Sequence, residues 1–266
     1  MATTTTGQRR PLALVTGASS GIGLELARQF AENGYDLVIT AEDGAGLADA
    51  ARSLANGSRV ETVVADLSSA RGVDTLYERV RDLGRPVDVL AANAGVGVGG
   101  EFAGGTSLRA EIKLIHLNVT SQVHLIKLIV GDMVARGSGK ILITSSIASL
   151  MPGPFEAVYA ASKAFLRSFG EAIRNELKDR GVSVTVLMPG PTETEFFHRA
   201  GMDDTKVGQG SKDDPADVAK AAYKALMADQ DHVVTGAKNK VQAAATAVLP
   251  DTARAALHRK QAEPQH

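Results

Sequence analysis

Apolar residues in this chain fall into two alternating textures. Short continuous runs occur at 12–16 (LALVT), 36–40 (DLVIT), 60–66 (VETVVAD), 87–92, 140–144, 182–188 and 232–235. Between them, apolar residues recur every three or four positions. One such stripe is Ile22, Leu26 and Phe30, closed by Gly34, and another is Val73, Leu76, Val80 and Leu83. A third helix covers 47–54. A long one spans 108–135 through Ile112, Ile115, Val119, Val123, Ile126 and Val130. Another runs from Tyr159 through Leu166, Phe169, Ile173 and Leu177 to Gly181, and Pro215 opens one that ends near 228. Short apolar runs bounded by turn residues suit strands buried on both faces, and the longer periodic segments suit helices packed on those faces. Their alternation predicts an α/β fold: a single Rossmann-type, doubly wound parallel sheet of about seven strands, with helices on both faces and ligands at the strand carboxyl ends.

At 266 residues the chain fills one large domain, expected over 11–236, and nothing in it demands a second. The polar start, residues 1–10, reads as a disordered leader without an apolar signal core. The irregular stretch 195–211 (EFFHRAGMDDTKVGQGS) sits inside a segment, 191–212, expected to act as a lid. Residues 237–266 read as an Ala-rich helical extension, interrupted at Leu249-Pro250, that packs on a neighbour or covers the edge of the site.

Composition narrows the function classes. Lys plus Arg total 29 and Asp plus Glu 30, so no global positive field exists to recruit nucleic acid or anionic lipid. The absence of cysteine excludes disulfides, thiolate nucleophiles and Cys-ligated metal, and the six histidines lack ligand spacing, so no metal site is expected. No apolar run looks long enough for a membrane span, and the expectation is a cytoplasmic protein without membrane insertion.

The strand ends carry the chemistry. After the first strand comes TGASSGIG, Thr16 to Gly23. There Gly17, Gly21 and Gly23 allow a tight turn and close backbone approach, and a helix N-terminus favours a pyrophosphate. Ser19, Ser20 and Ile22 complete that loop. The second strand ends at Glu42 and Asp43, where an acid would accept from a ribose 2′-OH and repel a 2′-phosphate. The alternative is an ordinary acidic turn. Asp66 and Leu67 end the third strand, and Asn93-Ala94-Gly95 end the fourth with residues small enough for a flat ring to lie against the backbone. Ser145 and Ser146 end the fifth, and Pro189-Gly190 with Thr192 and Thr194 end the sixth. Tyr159 and Lys163, four apart on a helix, share one face; a phenol beside an ammonium is an acid/base pair in which the charge lowers the phenol pKa. Asn118, inside the long helix, reads from its position alone as a surface Asn or a satisfied core amide.

Taken together, TGASSGIG at 16–23, Asp66-Leu67, Asn93-Ala94-Gly95, Asn118, Ser146, Tyr159-x-x-x-Lys163 and Pro189-Gly190 with Thr194 resemble the short-chain dehydrogenase/reductase family, compact single-domain branch, over 12 to about 195. The resemblance implies a nicotinamide-dependent oxidoreductase with an Asn118, Ser146, Tyr159, Lys163 tetrad. It selects Ser146 over Ser145 by the family's usual spacing to the tyrosine. It also implies that Lys163 holds the nicotinamide ribose and that Asn118 anchors a water in the proton path. Glu42, and Ser20 where many NADP-preferring relatives are basic, favour NAD(H) with NADP(H) as the alternative. Met151, Phe155, Val158, Phe196, Phe197 and Met202 are candidates for an apolar pocket, suggesting a small hydrophobic carbonyl or alcohol substrate. A homodimer or homotetramer is expected. The competing reading is a catalytically silent, nucleotide-binding regulatory protein of the same fold.

Overall fold

The computed structural model describes residues 9–55, 57–246 and 249–265. Of the leader expected at 1–10, residues 1–8 lie outside the described residues. The strands are β1 (Leu12–Thr16), β2 (Asp36–Ala41), β3 (Val60–Val64), β4 (Val89–Ala92), β5 (Gly139–Thr144), β6 (Val182–Met188) and β7 (His232–Val234). They form one parallel sheet in the order β3-β2-β1-β4-β5-β6-β7, so the chain reverses its direction of travel across the sheet between β1 and β4.

Helices cover both faces: α1 (Gly21–Glu32), α2 (Gly44–Leu54), α3 (Ala70–Asp82), α4 (Leu108–Ile115), α5 (Ser121–Ala135), α6 (Ala157–Leu177), α7 (Phe196–Arg199), α8 (Lys206–Gln209), α9 (Pro215–Met227), α10 (Ala237–Thr246) and α11 (Asp251–Ala262). Strand residues alternate between two cores. Leu14, Val38, Leu90, Ile141 and Val184 face α3, α5 and α6, while Val15, Ile39, Ala91, Leu142 and Leu187 face α1, α2 and α9. The inner strands β1, β2, β4, β5 and β6 are thus covered on both sides, which is why they read as largely apolar runs, while the edge strands β3 and β7 stay partly exposed.

Three local features depart from the sequence reading. First, β3 ends at Val64 and β4 begins at Val89, each two residues inside the expected limits. Asp66 has already left the sheet, its carboxylate accepting from Ser68 N at 2.9 Å and Ser68 Oγ at 2.7 Å. Second, the segment expected to act as a lid is not wholly irregular: it contains α7 and α8. Its base is clipped by Glu193 N donating to Asp213 O and Asp213 N to Pro191 O. Third, the long helix is interrupted at His116–Thr120 by one π-helical turn. An extra residue in a turn rotates the helix beyond it, and here the turn carries Asn118 inward.

By length and hydropathy, 1.2 over an 18-residue window, Leu108–Ala135 does reach the dimensions of a membrane span, contrary to expectation. In the fold, α5 directs Leu125, Ile126, Ile129 and Met133 into the sheet core, and α4 leaves Leu108, Ile112 and Ile115 exposed.

Candidate active site

A cleft of about 610 Å³ runs along the carboxyl ends of the strands, across the β1–β4 boundary where the strand order reverses. Open parallel sheets bind ligands at this position. Thr16 Oγ1 ties the two strand ends together, accepting from Asn93 N and Ala94 N at 2.9 Å each; Asn93 Nδ2 donates back to Thr16 O, and Thr144 Oγ1 donates to Asn93 Oδ1. The glycine loop lines one end of the cleft. Gly17 has φ +67°, and a Cβ there would lie 2.9 Å from Ala94 Cα; a Cβ on Gly23 would meet Gly17 O at 2.0 Å. α1 begins with no side-chain cap from Ser20, so its N-terminal turn is not closed off by its own N-cap residue. Those features fit a dinucleotide pyrophosphate.

All the other expected cofactor contacts border the same cleft: Ser19, Ser20, Gly21, Ile22, Glu42, Asp66, Leu67, Asn93, Ala94, Gly95, Pro189, Gly190, Thr192 and Thr194. At the β2 end the two acids have separate tasks. Asp43 caps α2, accepting from Ala45 N and Gly46 N at 3.1 Å. Glu42 forms an ion pair with Lys113 Nζ of α4 at 3.2 Å. The Ser68 hydroxyl, foremost, holds the Asp66 carboxyl below the usual range, and Lys113 adds to the effect.

At the far end, the first turns of α6 bring Tyr159 and Lys163 beneath β5. Lys163 Nζ donates to Thr144 O at 3.0 Å and lies 5.7 Å from the centre of the Tyr159 ring. Burial lowers its pKa to about 8. Ser145 Oγ donates to Lys163 O at 2.7 Å, and Ser146 is the serine whose hydroxyl acts on the Tyr159 phenol, lowering its pKa. Ser146 Oγ also accepts from Ala148 N at 3.1 Å. One expectation is reversed: the Tyr159 pKa stands above its ordinary value, raised by burial first and by the Glu156 carboxylate second, with Ser146 opposing. The penalty for burying a phenolate outweighs the ammonium, which is turned toward Thr144 O.

Asn118 is fully buried outside the cleft wall. Its Nδ2 donates to Val96 O at 2.9 Å and Ser162 Oγ at 3.1 Å, and its Oδ1 accepts from Val96 N at 2.9 Å. Ser162 Oγ in turn donates to Tyr159 O at 2.7 Å, so this amide links the β4 loop to the turn that bears the phenol.

Of the expected pocket residues, Met151, Phe196 and Phe197 border the cleft, with Phe196 5.2 Å from the Tyr159 ring. Phe155, Val158 and Met202 do not border it. Met202 is wholly buried against Gly99, in a cluster with Phe197, Ala200 and Ala262. Phe155 stands at φ +65° and turns its ring to Arg259. Sequence reasoning missed Glu156 and the α11 residues His258 and Gln261, which also line the cleft. Glu156 stands three residues before Tyr159, a spacing that could have found it; nothing in the local pattern marks His258. Among the described residues no cluster of His, Asp or Glu suits a metal ion.

The sequence matches the short chain dehydrogenase family over residues 11–205. It is 32% identical over 229 residues to the ketoacyl reductase HetN of Nostoc, covering 84% of this chain and 77% of that protein. It is 37% identical over 198 residues to human 17-beta-hydroxysteroid dehydrogenase type 1, covering 71% of this chain and 59% of the human protein. A short-chain dehydrogenase from Sphingobium yanoikuyae, solved in complex with NADPH, has 29% identity and a TM-score of 0.81, with 96% of this chain and 98% of that one covered.

Proposed function

This chain belongs to the short-chain dehydrogenase family and is an NAD(P)-dependent oxidoreductase, and we propose that it interconverts a secondary alcohol and a ketone on a hydrophobic substrate with Tyr159 as general acid/base. The observation that carries this reading is the convergence of Tyr159, Ser146 and Lys163 in the cleft that the glycine loop also lines, beside the apolar side chains of Met151 and Phe196.

A bound nicotinamide supplies the hydride donor or acceptor. In the reducing direction the Tyr159 hydroxyl gives its proton to the carbonyl oxygen, and Ser146 donates a hydrogen bond to the same oxygen as charge develops there. In oxidation the one proton transfer reverses, the Tyr159 phenolate taking the hydroxyl proton of the alcohol, while Ser146 keeps its hydrogen bond to the same oxygen. The Lys163 ammonium offsets the charge of the phenolate and holds the ribose, and Asn118 keeps the β4 loop and α6 in register. Gly17 to Gly23 would receive the pyrophosphate, Asp66 and Leu67 would hold the adenosine end, and Asn93 to Gly95 with Pro189 to Thr194 would hold the nicotinamide end. Segment 191–212 covers the substrate.

Glu42 and the absence of a basic residue at Ser20 support NAD(H) as the preferred cofactor, with NADP(H) the alternative. The exposed apolar face of α4 supports a homodimer or larger homo-oligomer. The decisive experiment is turnover by the protein and by Tyr159→Phe over a panel of secondary alcohols and ketones, with NADH and NADPH binding followed by fluorescence. The variant should bind cofactor and lose nearly all turnover; wild-type rates in the variant would remove Tyr159 from the mechanism. A protein that binds cofactor firmly and turns over nothing in the panel would instead be the regulatory protein.

A further inference from the structure

The C-terminal helix reaches into the site through one buried ion pair. His258 Nε2 of α11 lies 3.3 Å from Glu156 Oε2, with each side chain 8% exposed. The other ring nitrogen, Nδ1, is 3.1 Å from Pro154 O, a pure acceptor, so Nδ1 carries a hydrogen and donates. Nε2 is therefore the ring nitrogen that faces the carboxylate, and a proton between the two would be held in common. Whether that proton sits on nitrogen or on oxygen, the pair carries no net charge; without it, the pair is an anion.

The neighbouring chain is shaped around the imidazole. A Cβ on Gly153 would come within 3.4 Å of the His258 ring and 2.6 Å of Ala160 Cβ. Arg254, one turn earlier on α11, donates to Leu150 O at 2.9 Å, and Arg259 lies 5.2 Å from the centre of the Phe155 ring. Phe155 pays for this seat with a left-handed backbone, φ +65°, that a bulky residue rarely adopts. Glu156 is the N-cap residue of α6, one turn before Tyr159, and both border the cleft.

We propose that His258 is a positioning residue for Tyr159: by sharing a proton with Glu156 it keeps the entry to α6 uncharged beside the phenol, and through Pro154 O it fixes the loop that leads to it. The inference rests on Tyr159 being the acid/base group. Around Tyr159 the other facing groups are Lys163 on the same helix, Ser146 after β5 and the Phe196 ring of α7. Nearby charges on α11 are engaged elsewhere, Arg254 with Asp251 and Arg259 with Glu263. Glu195 and Arg199 border the cleft from the lid side. The Glu156 carboxylate acts on Tyr159 by raising its pKa, which is the coupling that His258 would mute.

The test is a charge cycle of His258→Gln, Glu156→Gln and the double variant. Each is loaded with NAD⁺, and Tyr159 ionisation is followed as tyrosinate absorbance relative to the same protein carrying Tyr159→Phe. The pH dependence of turnover is measured on the best alcohol from the panel, and thermal melts and NADH binding establish that each variant folds. His258→Gln should move the Tyr159 midpoint up by about one pH unit, roughly a tenfold drop in ionised fraction at fixed pH, and Glu156→Gln should move it down. The double variant should return close to the parent. Equal movement in the same direction, or none while Tyr159 still titrates, overturns the inference and leaves Tyr159 as the acid/base group. A Tyr159 that ionises in no variant, or full turnover in Tyr159→Phe, overturns both.

Discussion

Asn118 pairs with Val96 as one strand residue pairs with another, its side-chain amide accepting from Val96 N and donating to Val96 O, each at 2.9 Å. The π turn at His116–Thr120 makes this reach possible, and Ser162 passes the connection on to the backbone of Tyr159. Replacing Asn118 with Ala removes three hydrogen bonds and leaves both polar groups of Val96 without these partners. The expected loss is about 2–3 kcal/mol, or some 5 °C in melting temperature. Denaturant titration measures it, and an unchanged midpoint would show that water replaces the amide without penalty. Turnover should fall further than stability alone accounts for, because the β4 loop and α6 lose their common anchor.

That anchor marks where the sequence stopped being legible. Most strands were readable because each is a short, largely apolar run, and the first six end in residues with chemistry, as Thr144 runs into Ser145 and Ser146. The pairing of Tyr159 with Lys163 was readable because four-residue spacing fixes a helix face. The π turn was not, since no Gly or Pro punctuates His116–Thr120 and a periodic stripe passes through it. Met202 and Phe155 could not be sorted from Phe196 either: an apolar residue in an irregular segment looks the same whether it lines a cavity or fills the space beneath a lid. The elevated pKa of Tyr159 depends on burial, to which the Phe196 ring of α7 contributes from a distant part of the chain.

Lys163 gives stability a pH dependence with a definite sign. Its pKa is about 8 in the fold against an ordinary 10.5. Below pH 8 folded and unfolded chains both hold the proton. Between about 8 and 10 the unfolded chain keeps a proton that the folded chain has released, so this group makes the fold more stable as pH rises. The full effect approaches about 3 kcal/mol. Above pH 10 Tyr159 opposes it, since the folded phenol retains a proton that unfolded tyrosine loses. The stability of the parent relative to Lys163→Met should therefore climb from pH 8 to 10 in urea titrations. A flat difference would mean that the ammonium is solvated in the fold.

The adenosine end makes a prediction about cofactor choice. Asp43 is committed to capping α2, so Glu42 is the acid that the proposed reading assigns to the ribose, and Lys113 partly offsets its charge. Glu42→Gln should raise affinity for NADPH about tenfold relative to NADH, the scale of one relieved like-charge contact at a partly solvated site. Lys113→Ala should shift the ratio the other way by a smaller factor, because an exposed pair contributes little. Fluorescence titrations of both cofactors against both variants read these ratios directly. Parent protein that binds NADPH more tightly than NADH would reverse the proposed preference.

The apolar side of α4 bears on assembly. Leu108, Ile112 and Ile115 succeed one another at helical spacing and are 79%, 42% and 36% exposed, although α4 is continuous with a helix whose other residues fill the sheet core. α6 packs against α4 and adds Phe165, 42% exposed and stacked on Phe169 with ring centres 5.8 Å apart. Single exposed apolar residues are ordinary, but a row of them on adjoining helices, none needed by the cleft, is the composition of a buried interface. A second copy meeting this face by two-fold symmetry would cover it with the same residues. Light scattering on the purified protein should give a dimer or a multiple of it. Ile112→Glu, which places a charge at the centre of that row, should release monomers with their cofactor affinity intact, since Ile112 borders neither the glycine loop nor the strand ends. An oligomer unaffected by Ile112→Glu and by Phe165→Glu would place the contact on another surface, and α4 would then be an exposed apolar helix with no assembly role.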